Sequence, residues 1–179
     1  TNVINKWIED NPIYSCFLTP QGKFLADFFL INLGDSYLIE INEVYIENFI
    51  AKLNIYKLRS KVKISIEENY TSFVILNGDL KLNKEINYIE FTDPRCSNLG
   101  KKIIIKSNLK NNFVSNNNLI KADFKSYREL MIKNLVPDTT NDLKINKSLL
   151  LENNFDAINA IDWDKGCYVG QEITARMKY

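Results

Sequence analysis

The sequence predicts an α+β fold in which one unit, an antiparallel sheet plus a helix, occurs twice. Three observations point there. Runs of strand-like residues are followed by an amphipathic stretch, and the same order then repeats. Two early runs are joined by "TPQG", which is a hairpin turn and not a crossover. The alternating β-α-β rhythm of a nucleotide-binding parallel sheet is missing, and neither G-x-G-x-x-G nor a P-loop occurs.

Residues 13–18 ("IYSCFL") and 23–33 ("KFLADFFLINL") read as the two hairpin strands. Pro20 presets φ in the turn between them and Gly22 closes it. Gly34 and Asp35 form a second turn, and residues 36–41 ("SYLIEI") a third strand. Val44, Ile46, Phe49, Ile50 and Leu53 recur at three- and four-residue spacing, which predicts an amphipathic helix over 43–53. Residues 61–68 ("KVKISIEE") alternate apolar and charged, the period of a half-buried strand. Residues 72–78, 88–92 and 101–106 continue the sheet, and 109–118 ("LKNNFVSNNN") reads as a polar break. A second long helix is expected over 120–135, with Phe124, Tyr127, Leu130, Met131 and Leu135 on one face. Pro137 ends it, because the residue before a proline is pushed out of the α region. Residues 148–164 show no clear period, and "GQEITARMK" favours a helix beginning near Gly170.

With 179 residues the chain fits one ordinary domain, and 45% hydrophobic residues suit a folded core. A net charge of +1, from 23 basic and 22 acidic residues, gives no global field toward nucleic acid or membrane. No apolar run approaches the roughly 18 residues of a transmembrane helix. The start at Thr1 and the end in what reads as mid-helix are expected of an internal piece of a longer protein. Cys16, Cys96 and Cys167 are odd in number and far apart, with no C-x-x-C pair, so neither a disulfide framework nor a zinc site is expected. That favours a reducing compartment. The absence of histidine removes the usual general base and the Ser-His and Cys-His nucleophile pairs. Abundant Asn and Ile, with 19 Lys against 4 Arg, suggest an A+T-rich genome, and a bacterial, cytoplasmic protein is expected.

The densest chemistry is "KGCYVGQE", residues 165–172. Its two glycines would each cost roughly 0.5–1 kcal/mol inside a helix or strand, so a tight loop presenting Cys167 is the better reading. Lys165 and the amides of a helix starting at Gly170 both favour a thiolate. Gln171 and Glu172 fall in the first helical turn, and Arg176 stands four residues after Glu172, the spacing of a surface ion pair. Asp27 is a carboxylate among apolar residues on a presumed strand. Asp93-Pro94-Arg95 reads as a structural turn, and Cys16 and Cys96 as structural thiols. The cations and aromatics over 121–133 read as a solvated helix face and not an RNA contact.

"KGCYVGQE" resembles the signature of the folate-binding iron–sulfur assembly proteins, relatives of the glycine-cleavage T-protein that include bacterial YgfZ. "LTPQGKFLADF" (18–28), "YKLRSKV" (56–62) and "DPRCSNLG" (93–100) match further elements of that family in order and spacing. The resemblance implies a duplicated α+β domain over residues 1–179 whose concave centre holds tetrahydrofolate. The family's first strand region and C-terminal barrel fall outside this piece. It further implies maturation or repair of 4Fe–4S enzymes, with Cys167 as a redox or transient iron–sulfur cluster thiol supported by Lys165 and Glu172. Folate contacts would come from Tyr127, Asp27, Gln171 and Arg176. Partners would be iron–sulfur assembly proteins or client enzymes, contributing the other cluster ligands to a monomer that binds neither DNA nor membrane. The alternative in the same resemblance is a tetrahydrofolate-dependent aminomethyltransferase. Two departures stand out. Tyr127 replaces a tryptophan of the folate pocket, and "KNL" (133–135) stands where relatives carry "EAG", so Lys133 replaces an acid and weaker folate binding is expected.

Overall fold

The computed structural model of the chain describes residues 1–2, 12–76, 81–83 and 85–179. It is an α+β structure with two three-stranded antiparallel sheets. The first is a meander of β1 (Ile13–Leu18), β2 (Phe24–Asn32) and β3 (Tyr37–Ile41). Gly22 has φ +71° and its N–H donates to the Thr19 carbonyl at 2.9 Å, closing the turn that "TPQG" predicts. Helix α1 (Glu43–Tyr56) follows, with the Asn42 side chain accepting from the Val44 N–H as an N-cap. It docks through Phe49, whose ring lies 5.4 Å from Phe17 and 5.1 Å from Phe28.

The second sheet contains β4 (Tyr70–Ile75), β5 (Tyr88–Thr92) and β6 (Lys101–Lys106), with β6 in the middle. The two sheets share size and antiparallel sense but differ in strand order. Period-two alternation sends β6 into two apolar clusters. Ile104 joins the main core with Tyr14, Phe24, Phe29 and Phe155, while Ile103 and Ile105 pack with Ile75 and Phe113. The remaining helices are α2 (Lys110–Asn116), α3 (Phe124–Lys133), α4 (Thr139–Asp142) and α5 (Gln171–Lys178).

Several expectations need correction. Residues 61–68 form no strand. Lys57 Nζ donates to the Val62 carbonyl and the Val62 N–H to that of Ser60, so the start of the segment is tied to the turn after α1, no ladder forms, and Val62 and Ile66 stay exposed. The polar break at 109–118 contains a helix, α2, because one fully buried aromatic anchors it: Phe113 packs 4.8 Å from Tyr88 and 5.8 Å from Phe73. The strand expected over 72–78 runs Tyr70–Ile75, and residues 77–78 lie outside the described residues. Helix α3 starts later than expected, at the Asp123 cap, whose side chain accepts from the Lys125 N–H. It also ends earlier. Leu135 turns left-handed at φ +54° and the Val136 N–H returns to the Met131 carbonyl, a Schellman closure.

Candidate functional site

A pocket of about 200 Å³ opens between β2, β3, β6, α3 and the segment around α4. Asp27 on β2 and Tyr127 on α3, far apart in sequence, both line it. Asp27 is half-buried in the pocket wall and accepts two hydrogen bonds, from Tyr14 Oη at 2.9 Å and from Thr139 Oγ1 at 2.6 Å. Burial raises its pKa above the ordinary carboxyl value, and the bonds from Thr139 and Tyr14 offset only part of that. Burial and the neighbouring Asp27 likewise push the Tyr14 hydroxyl well up.

Tyr127 is held by Arg95. Nη2 of Arg95 donates to Tyr127 Oη at 2.8 Å and to Asp93 Oδ2 at 2.7 Å, and Nε donates to Asp93 Oδ1 at 3.0 Å. The guanidinium also lies 5.3 Å from the Tyr14 ring centroid and 5.1 Å from that of Phe29. Burial opposes its charge, but the Asp93 carboxylate more than compensates and keeps it cationic. Burial also raises the Tyr127 hydroxyl, so the pocket wall is a neutral phenol. Lys102 Nζ contacts both Glu40 oxygens at 2.7 and 2.8 Å, and Phe124 tilts against Tyr127 at 6.1 Å. The site therefore offers aromatic walls for a flat ligand, one half-buried carboxyl without a direct cationic partner, and fixed charges nearby.

The sequence reading missed Arg95, Glu40, Lys102, Thr139 and Phe124, all of which line this pocket. The Asp93-Pro94-Arg95 segment is a local turn as expected, since the Arg95 N–H caps Asp93 Oδ1, but it also delivers a cation to the site. The available signal was an acid and a base two residues apart beside an apolar strand. Lys133 corrects the other way. It is exposed on α3 and does not line the pocket, so the lost acid of "EAG" removes no wall residue.

Residues 165–172 form a separate place and none of them lines the pocket. Cys167 is exposed, whereas Cys16 is buried and Cys96 is half-buried with its thiol 3.4 Å from Asn134 Oδ1. The two glycines differ. Gly170 has φ +83°, and a Cβ there would meet the Thr19 carbonyl oxygen at 2.6 Å and Gly22 Cα at 2.9 Å. A Cβ on Gly22 would meet the Gly170 carbonyl oxygen at 3.1 Å. The start of α5 is thus clamped backbone to backbone on the β1–β2 turn, while a Cβ on Gly166 would meet nothing within 4 Å. Lys165 Nζ donates to the Asn2 carbonyl at 2.8 Å, tying the loop to the opposite end of the described chain. Gln171 Oε1 accepts from the Tyr168 N–H at 3.3 Å. Glu172 and Arg176 form an i,i+4 pair at 2.6 Å with both side chains 72% exposed, a surface contact. Gln171 and Arg176 do not line the pocket. Among the described residues no group of three or more His, Cys, Asp or Glu side chains is placed to hold a metal ion.

An aromatic-walled pocket and a separately held, exposed thiol are thus the two chemically equipped places of the described chain. No protein-family model matches the sequence. The chain is similar to the mitochondrial iron–sulfur cluster assembly factor IBA57 homolog of Mycosarcoma maydis, 31% identical over 93% of this chain and 42% of that protein. The homolog of Dictyostelium discoideum is 28% identical over 100% of this chain and 53% of its own length. The mouse factor is 27% identical over 91% of this chain and 49% of its own. The chain spans about half the length of the curated relatives it matches. These homologues are iron–sulfur cluster assembly factors by name, which agrees with the family read from "KGCYVGQE". They overturn the expectation of a bacterial, cytoplasmic protein, because they are mitochondrial proteins of eukaryotes. An Asn-, Ile- and Lys-rich composition reports base content, which fixes neither kingdom nor compartment.

Proposed function

We propose that this chain is the folate-binding part of an accessory protein for maturation or repair of 4Fe–4S enzymes. The observation that carries the reading is similarity to iron–sulfur cluster assembly factors over nearly the whole chain. The pocket's donor set fits a reduced folate. Tyr127 and Phe124 offer rings for stacking, and Asp27 offers a carboxyl whose proton is retained to higher pH than usual. Bound tetrahydrofolate would supply a one-carbon-carrying reduced pterin, while Arg95 fixes the Tyr127 ring through its hydroxyl. Cys167 is the exposed thiol among the three cysteines and would give a cluster one sulfur ligand. Its remaining ligands would come from an assembly partner or glutathione. We read the two three-stranded sheets as the copies of a duplicated unit.

The test is calorimetric titration of the full-length protein with tetrahydrofolate, alongside restoration of iron–sulfur enzyme activity in a deletion strain. Binding by the wild type, weakened about tenfold in Tyr127→Ala, is expected for a lost aromatic contact of about 1–1.5 kcal/mol. Cys167→Ala should bind folate normally and fail to restore the enzymes. No heat with tetrahydrofolate refutes the pocket reading, and full restoration by Cys167→Ala refutes the thiol reading. Turnover in a glycine-cleavage assay with a lipoyl carrier would make the aminomethyltransferase reading the better one.

A further inference from the structure

The balanced charge of the whole chain conceals a local imbalance. From residue 48 to residue 66 there is no acid, and five cations stand there: Lys52, Lys57, Arg59, Lys61 and Lys63. Among the described residues none of the five forms an ion pair, and Arg59, Lys61 and Lys63 are exposed. Large apolar side chains alternate with them in the open. Leu58 is 83% exposed, Ile55 69% and Val62 55%, with Tyr56 and Ile66 also exposed. The loop is shaped by its own chain, through the Ser60 N–H on the Lys57 carbonyl and Lys57 Nζ on that of Val62. Leu58 holds φ +48°, a backbone conformation in which a branched side chain is out of place. An exposed leucine in that conformation gives the fold nothing that asparagine would not give better, so its use lies outside the fold.

We propose that residues 52–66 dock the protein peripherally on an anionic phospholipid surface. Four of the five cations are lysines, flexible point charges that suit a diffuse layer of headgroups better than the bidentate geometry of a protein carboxylate. Lysine is also depleted at protein–protein interfaces. Leu58, Val62 and Ile55 have no task against a nucleic-acid backbone but fit the acyl boundary below a headgroup layer. Helix α1 sets the geometry. Its first turn adjoins Ile41 and Asn42 on the pocket wall, and its 14 residues carry the chain roughly 21 Å to the basic loop, which leaves the pocket mouth clear of the surface. No helix of the described residues is long and apolar enough to cross a membrane, so the attachment is to one leaflet.

Vesicle co-sedimentation of the full-length protein tests this, using phosphatidylcholine alone and phosphatidylcholine mixed with phosphatidylglycerol. Binding to the mixed vesicles only, released by added salt, is expected. Each cation near the surface contributes about fivefold in partitioning, so the triple variant Arg59→Gln, Lys61→Gln, Lys63→Gln should bind roughly a hundredfold more weakly. Leu58→Asn should lose about tenfold through lost insertion, with an unfolding midpoint equal to or above that of the wild type because asparagine accepts the left-handed conformation. Absence of binding to the mixed vesicles overturns the proposal and leaves the surface to an acidic protein. Binding that survives the triple variant overturns it as well.

Discussion

Leu135 shows at the residue scale how one side chain can sit against its backbone. It occupies the C′ position of α3 at φ +54° and is 71% exposed, so the left-handed conformation is not offset by burial. In the family that "KGCYVGQE" resembles, "EAG" would place a glycine here, the residue that adopts this conformation freely. Leu135→Gly should therefore raise stability by about 0.5–1 kcal/mol, read as a higher urea midpoint with unchanged slope. A lower midpoint would mean that the leucine packs usefully. Asp27 supplies a pH-dependent test. Its folded pKa lies above the ordinary value of about 4, so between the two values the native state holds a proton that the unfolded chain has released. Stability is full below about pH 4 and falls as pH rises through the folded value. Asp27→Asn abolishes that dependence, so the wild type should compare best with the variant in acid and worst at neutrality. Denaturant titrations across pH showing the opposite trend would reject the raised pKa.

At the scale of elements, α2 depends on a single anchor. Phe113 is fully buried between Tyr88 and Phe73, so Phe113→Ala should cost about 3–5 kcal/mol and expose α2 amides to hydrogen exchange before those of β2. Simultaneous exposure of both would refute separate anchoring. The same helix shows what a sequence conceals. Five asparagines over residues 109–118 looked like a break, because polarity is read locally while the pocket that receives Phe113 is built by strands elsewhere. The hairpin, α1, β5 and β6 were legible because turn residues and apolar period are both local. Residues 61–68 misled for the complementary reason: the alternation is real, but a strand also needs a neighbour, and among the described residues this segment pairs with none. In the site, Asp27 and Tyr127 were each singled out, but their meeting depends on β2 and α3 bordering one pocket, which no spacing reveals. Arg95 was hidden because its local bonds to Asp93 fully account for a turn, and its bond to Tyr127 is long-range.

Across the whole molecule the pocket lies where the two sheets meet. Phe29 of β2 approaches Phe91 of β5 at 5.8 Å, and Glu40 of β3 pairs with Lys102 of β6. Both sheets therefore contribute to one wall, and loosening either should disturb the site. The glycine clamp is the other tie at this scale. Gly170→Ala forces a Cβ toward the Thr19 carbonyl and strains a left-handed backbone, for a loss of about 2 kcal/mol. Thermal unfolding gives the magnitude, and alkylation kinetics give the location. Cys167 should change its labelling rate, whereas buried Cys16 should stay protected below the transition. Unaltered stability and labelling would show that the clamp is dispensable.

That clamp joins the first hairpin to the last helix of the described chain. A contact of such long sequence separation closes late, since the intervening loop must be ordered before the contact can form. During synthesis, which proceeds from the N-terminus at about 5–20 residues per second, the β1–β2 turn emerges first and waits for its partner. A nascent or truncated chain carries the hairpin but has no seated α5. The geometry around Cys167 is thus acquired only once α5 has been made and seated against the first hairpin.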